Sequence, residues 1–121
     1  MAGRGDLPAQ FSATTREDTM SVIDDMIGTV VLVRDNQAGV HVGTLASADM
    51  NEGTCEMRDA RKIWHWSGAG SVHGIAAHGL DRAGSKVAAK VAAVATRDVV
   101  EIVQMSDKGC ESVMGAPEWM P

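Results

Sequence analysis

The sequence predicts a β-rich α+β fold, either a small bent antiparallel sheet or an SH3-like barrel, with five to six strands and two or three short helices. Three observations support this prediction. Runs of β-branched residues recur at short intervals and are separated by Gly, Asn and Asp. Two short segments begin at a serine and end at a glycine. The chain has three Trp, one Phe and no Tyr, so its core is expected to be small and rich in Ala, Val and Met.

The first three strands are expected to form an antiparallel meander. Residues 27–35, "IGTVVLVRD", are β-branched and contain no strand breaker after Gly28. Residues 40–47 follow a short "NQAG" turn and return as the hairpin partner. After a second turn at 49–53, alternating residues predict a third strand that runs from Thr54 to Trp66.

The second half of the chain predicts helices and strands in alternation. Ser71 and Ser106 can each cap a short helix, and the helices are expected to end at Gly79 and Gly115. Between them, residues 86–106 are interpreted as extended, although the alanines in "KVAAKVAAVAT" also suit a helix. In the tail "APEWMP", Trp119 is expected to hold the C-terminus against the body of the protein.

The chain divides into an N-terminal arm with a short helix, residues 1–25, and a single β-rich domain, residues 26–121. Thr14 and Glu17 form a capping box for a helix over about 15–25. A small core in a chain with 13 glycines suggests that neighbouring subunits contribute to stability. The expected partners are therefore further copies of the chain, contacted through the arm.

Composition excludes several functional classes. The net charge of −5 does not favour binding to nucleic acid, which needs a basic surface. No apolar run is long enough for a membrane span or a signal peptide. Cys55 and Cys110 are too far apart for a zinc motif and are expected to be reduced thiols. The chain reads as a soluble protein made in a cytoplasm.

Catalytic, metal and cofactor sites are not predicted. His65, His73 and His78 are close in sequence, but His73 and His78 would diverge by about 140° on a helix. No spacing pairs a nucleophile with a base, and "GAGS" lacks the length and the lysine of a phosphate loop. We therefore expect a protein that is not an enzyme.

The residues expected to form an interface or to bind a ligand lie between positions 61 and 71. Trp64 and Trp66 are predicted to share one face of the third strand, where they could fill the core, form a subunit interface or stack on a base. A core position predicts a cost of about 3–5 kcal/mol for Trp64→Ala, and a partner-facing position predicts little effect on folding. Backbone amides after Gly68 could hold an anion. The candidate residues are Arg61, Trp64, Trp66, Gly68 and Ser71.

Three segments, 38–47, 57–79 and 98–113, resemble a family of small, mostly uncharacterised proteins of tailed phages and prophages. The similarity extends over about residues 27–119, and its most specific part is "ARKIWHWSGA". His65 departs from the tyrosine common in that family, and the N-terminal extension is a second departure. The resemblance implies a phage origin and a β-rich domain but no activity. The matching residues are Ala38, Gly39, Val40, His41, Ala60, Arg61, Ile63, Trp64, Trp66, Gly68 and Ala69.

Two hypotheses about function follow. The first is a non-enzymatic structural protein in the virion, such as a capsid decoration, cement or head-accessory subunit that contacts other capsid proteins through the arm. The second is a counter-defence module in the infected cell, which sequesters a nucleotide signal or blocks a host protein. Arg58, Arg61 and Lys62 beside two tryptophans favour the second hypothesis, and the small acidic chain favours the first.

Overall fold

A six-stranded antiparallel sheet with short helices forms the part of the protein that the computed structural model describes, residues 22–120. This architecture confirms the predicted β-rich α+β class. The elements are α1 (22–26), β1 (Val30–Asp35), β2 (Gly39–Asp49), β3 (Thr54–His65), α2 (Val72–His78), β4 (Lys86–Val87), β5 (Val91–Thr96), β6 (Val99–Gln104) and α3 (Asp107–Met114).

The strand order is β4-β3-β2-β1-β6, and β5 lies beside β4 on the same edge of β3. The β1–β2–β3 meander is confirmed, with Val33 opposite His41 in the first hairpin. Bulges interrupt the pairing of β2 with β3 at two places and bend the sheet. Because β5 and β6 are not paired with each other, the sheet does not close, and the barrel alternative is wrong.

Strand β1 begins later than the sequence predicts. Residues 27–29 form a turn that continues from α1, because the Ile27 amide donates to the carbonyls of Ile23 and Asp24. Gly28 has a φ of 84°, which glycine adopts at little cost. Most of the helix predicted over 15–25 lies outside the described residues, as does the arm before it. Its last part is helical, as α1.

Both predicted serine caps are confirmed. The Ser71 hydroxyl accepts a hydrogen bond from the Gly74 amide, and the Ser106 hydroxyl accepts one from the Gly109 amide at 2.9 Å. Helix α2 ends at Gly79, as the sequence predicts, and its φ of 89° is one that glycine adopts at little cost. Its ψ of −170° is not that of the left-handed helical conformation expected for the stop. The region 86–96 is extended, as interpreted, although residues 88–90 separate β4 from β5.

The sheet buries apolar side chains on both faces. On one face, α2 and α3 cover the helix-side core, which includes Leu32, Val42 and Ile75. On the other face, the opposite-side core includes Leu45 and Met57, with Met26 of α1 packed against it. None of the described helices is long and apolar enough to cross a membrane.

Candidate functional site

The structure separates the five residues that the sequence groups as a candidate site. Trp64 is 57% exposed, whereas Trp66 is half-buried and packs against the helix-side core. The prediction that the two rings share one strand face is wrong, because β3 ends at His65 and strand alternation no longer orients Trp66. Arg61, Gly68 and Ser71 have structural contacts of their own and do not join Trp64.

Arg61 lies inside the protein and is not available to a ligand. Its side chain is 4% exposed, and the guanidinium donates to five backbone carbonyls. Two acceptors belong to β4 and the residue after it, and three belong to the end of α3 and the residues that follow. Arg61 therefore fastens the C-terminal segment to β3. The acceptors are the carbonyls of Val87, Ala88, Val113, Met114 and Ala116.

The turn around Gly68 lies beside an acidic side chain, which disfavours the anion site that the sequence suggests. Gly68 has a φ of 80°, and a Cβ at this position would lie 2.9 Å from the Asp81 Cβ. The Ser67 hydroxyl lies 3.5 Å from the Asp81 carboxylate, so a negative charge already sits beside this turn. The Ser71 hydroxyl is engaged as the cap of α2. Gly68 and Ser71 shape the connection between β3 and α2.

An exposed surface forms where the end of β3 meets the C-terminal segment. The rings of Trp64 and Trp119 have their centroids 6.2 Å apart and are tilted by 53°. The Trp119 amide donates to the Val87 carbonyl at 2.8 Å, so the predicted role of Trp119 in holding the C-terminus is confirmed. Glu118 forms a parallel bridge with Val87 beside it.

Two lysines complete this surface. The Lys62 ammonium lies 4.1 Å from the centre of the Trp64 ring, and the Lys86 ammonium lies 5.3 Å from that of Trp119. Each cation–π contact at an exposed site contributes about 0.5–1 kcal/mol and restricts both side chains. We call Lys62, Trp64, Lys86 and Trp119 the tryptophan–lysine patch.

The patch is suited to binding a partner surface that is apolar at its centre and acidic at its border. Met120, which is 74% exposed, follows Trp119 and adds apolar surface. The 53° tilt leaves no parallel slot between the two rings, and the Lys62 ammonium lies over Trp64. A planar base could therefore not be sandwiched between the rings. The patch could not be predicted from local sequence patterns, since Lys86 and Trp119 lie far along the chain from Trp64.

A second polar cluster surrounds Asp35, at the end of β1. Its carboxylate accepts hydrogen bonds from the amides of Gln37, Ala38 and Asp98, at 2.8–2.9 Å. Burial would raise the pKa of Asp35, but these amides outweigh it and hold the pKa below the ordinary 3.8. The carboxylate lines an open cavity of about 630 Å³. These hydrogen bonds occupy both carboxylate oxygens, and they link the turn after β1 to the turn before β6.

The histidine side chains do not come together at a common site. His73 lies 2.6 Å from Glu101 on the surface, and Arg34 contacts the other oxygen of the same carboxylate. His41 is buried, and burial is the main cause that lowers its pKa. Its Nδ1 has no hydrogen-bond partner among the described residues. In residues 22–120, no group of three His, Cys, Asp or Glu side chains could hold a metal ion.

The family model of a domain of unknown function, DUF6948, matches residues 28–113 of the chain. The chain belongs to the DUF6948 family. The match contains all three segments on which the resemblance to an uncharacterised family rests, whereas a phage origin stays a prediction. The DUF6948 region includes Lys62, Trp64 and Lys86 but ends before Trp119. None of the curated proteins compared with the chain matches it.

Proposed function

We propose that this chain is a non-enzymatic structural protein of a phage virion, a capsid decoration or head-accessory subunit that binds its neighbour through the tryptophan–lysine patch. The single observation that supports this role is the 57% exposure of Trp64 in a chain with only three tryptophans. Tryptophan is enriched at the centres of protein interfaces, where its large ring is desolvated by the partner. An exposed indole on a folded strand is therefore a candidate anchor.

The neighbouring side chains favour a protein partner. Trp119 and Lys62 both contact Trp64, so the ring loses little conformational freedom when a partner covers it. Lys62 and Lys86 place positive charge beside the apolar rings on a chain whose net charge is −5. A capsid neighbour with an apolar pocket bordered by Asp or Glu would complement this surface. The same surface could pair further copies of the chain.

Mass spectrometry of purified virions tests the proposal. We expect stoichiometric amounts of the chain in particles of the phage that encodes it. Trp64→Ala should weaken binding to the particle by about thirtyfold or more and lower the copy number accordingly, because a hot-spot tryptophan typically contributes 2 kcal/mol or more to binding. Lys108→Ala, an exposed change on α3, serves as the matched control and should leave the copy number unchanged. Absence of the chain from purified particles would contradict a virion role.

A counter-defence module that binds a nucleotide is the second candidate function, and one observation favours it. Lys62 and Lys86 lie beside two indoles, and such a pairing of cation and ring can hold a phosphate and a base. The 53° tilt of the two rings leaves no slot for a base between them and so favours the first candidate. A thermal-shift screen with cyclic and linear nucleotides separates the two: stabilisation that Trp64→Ala and Lys62→Ala both remove would support nucleotide binding.

A further inference from the structure

The outer edge of β5 is an unprotected strand edge. Residues Val91–Thr96 pair with β3 along one side, and no described strand pairs with the other side. The strand "VAAVAT" contains no charged residue and no proline. Val91 is 47% exposed, and Ala92, Ala93 and Ala95 are exposed as well. Natural sheets usually block such an edge with lysine, proline, a bulge or a covering segment.

The other edges of the sheet carry such protection. The C-terminal segment covers β4, where the Trp119 amide donates to the Val87 carbonyl and Glu118 bridges to Val87. Strand β6 contains the charged Glu101 and pairs with β1 across a register shift. Among the described strands, β5 therefore has the outer edge whose backbone groups remain open to pairing with an added strand.

Positive charge marks both ends of this edge. Lys90 immediately precedes β5, Arg97 immediately follows it, and both side chains are exposed. Within residues 22–120, neither forms an ion pair. An added strand would therefore run past a cation at each of its ends, with six uncharged residues between them. Opposite charges across a strand pair are stabilising, and like charges are destabilising.

We propose that β5 binds an extended segment of another protein by strand addition, and that this segment is uncharged at its centre and acidic at both ends. Backbone hydrogen bonds would supply affinity, and the acidic ends would fix position against Lys90 and Arg97. This surface is separate from the tryptophan–lysine patch and does not depend on the role proposed for it. Two copies of the chain do not fit: antiparallel pairing would bring Lys90 of each copy beside Arg97 of the other, and in-register parallel pairing would align like residues.

Titration of the full chain with designed peptides tests strand addition. The probe is a peptide with an alternating Thr–Val centre and paired glutamates at both ends, and its match carries lysines in place of the glutamates. We expect the glutamate peptide to bind about tenfold more tightly, because like charges oppose the lysine peptide. NMR shifts of backbone amides should concentrate at residues 91–96. The double variant Lys90→Glu/Arg97→Glu should reverse the preference, while the control Lys108→Glu should not.

A glutamate peptide N-methylated at every residue of its Thr–Val centre separates backbone pairing from charge attraction, because neither of its edges then carries a free amide. It keeps the charges but cannot donate the backbone hydrogen bonds of a strand, and we expect it to lose binding. Binding that survives N-methylation, equal affinity for both charge forms, or no binding of either peptide overturns the proposal. A dimer of the chain that Ala93→Lys dissociates in sedimentation velocity also overturns it, because the edge would then belong to a second copy.

Discussion

Arg61 of β3 donates a hydrogen bond of 2.6 Å to the carbonyl of Ala116, which lies beyond the end of α3. The same guanidinium also reaches the carbonyls of Val113 and Met114, so one side chain satisfies the last acceptors of the helix. These hydrogen bonds of Arg61 position the segment that carries Trp119, so that Trp119 lies against Trp64. The buried arginine and the exposed patch are therefore parts of one arrangement.

Replacing Arg61 should destabilise the protein strongly. Arg61→Met should lower the free energy of unfolding by about 3 kcal/mol or more, because buried carbonyls lose their donors. Arg61→Lys should recover only a small part, since an ammonium cannot span acceptors on two segments. Urea denaturation measures both, with the exposed Arg58→Met as the control on the same strand. A stability of Arg61→Lys equal to wild type would contradict this role.

Trp64 and Trp66 should respond differently to truncation. Trp64→Ala should change the free energy of unfolding by less than about 1 kcal/mol, because the ring is 57% exposed. Trp66→Ala should cost about 2–3 kcal/mol, since this ring packs against the helix-side core. Thermal or urea unfolding of the two variants makes the comparison. A larger loss for Trp64→Ala than for Trp66→Ala would show that the exposed ring carries more of the fold than its burial indicates.

Local signals in the sequence predict much of the fold. The β1–β2 hairpin and the two serine-capped helices follow from residues within a few positions of one another, and all three are observed. The position of Arg61 could not be predicted in this way. Its acceptors lie 26 to 55 positions later in the chain. No local pattern encodes such distant partners.

A bulge in β3 explains why the faces of that strand were difficult to predict. Thr44 pairs with Arg58 and Val42 pairs with Arg61, so β3 contains one extra residue. Asp59, at a φ of 50°, lies within this extra step. Met57 therefore faces the opposite-side core, whereas Ile63 faces the helix-side core. Simple alternation from Cys55 onward would place Met57, Arg61 and Ile63 on one face.

Acid should destabilise the protein partly through Asp35. The pKa of this carboxyl is lowered from its ordinary 3.8, so its contribution is present above about pH 4 and is lost as the pH falls through the folded pKa. Asp35→Asn should cost about 2 kcal/mol at pH 7, because three backbone amides lose a charged acceptor. It should also flatten the decline of stability between about pH 5 and pH 2.

Urea midpoints across that pH range check the Asp35 prediction. The exposed Asp24→Asn is the control and should follow the wild-type curve. If Asp35→Asn keeps the full acid dependence of the wild type, other carboxylates govern the acid response. Glu101 is the next candidate, since hydrogen bonds from His73 and Arg34 are the main causes that lower its pKa.

Gly109 should be required for the close contact between α2 and α3. A Cβ at this position would lie 2.8 Å from the Ile75 carbonyl oxygen and still closer to that of Ala76. The Ala76 carbonyl also accepts a hydrogen bond from the Ser106 amide, so it cannot move away without losing that bond. Gly109→Ala should cost about 2 kcal/mol, because overpacking outweighs the better helix propensity of alanine.

Gly70→Ala, with no atom within 4 Å of the added Cβ, is the matched control and should change the melting temperature little. Equal melting temperatures for the two variants would show that the helices can separate at no cost, contrary to the packing described.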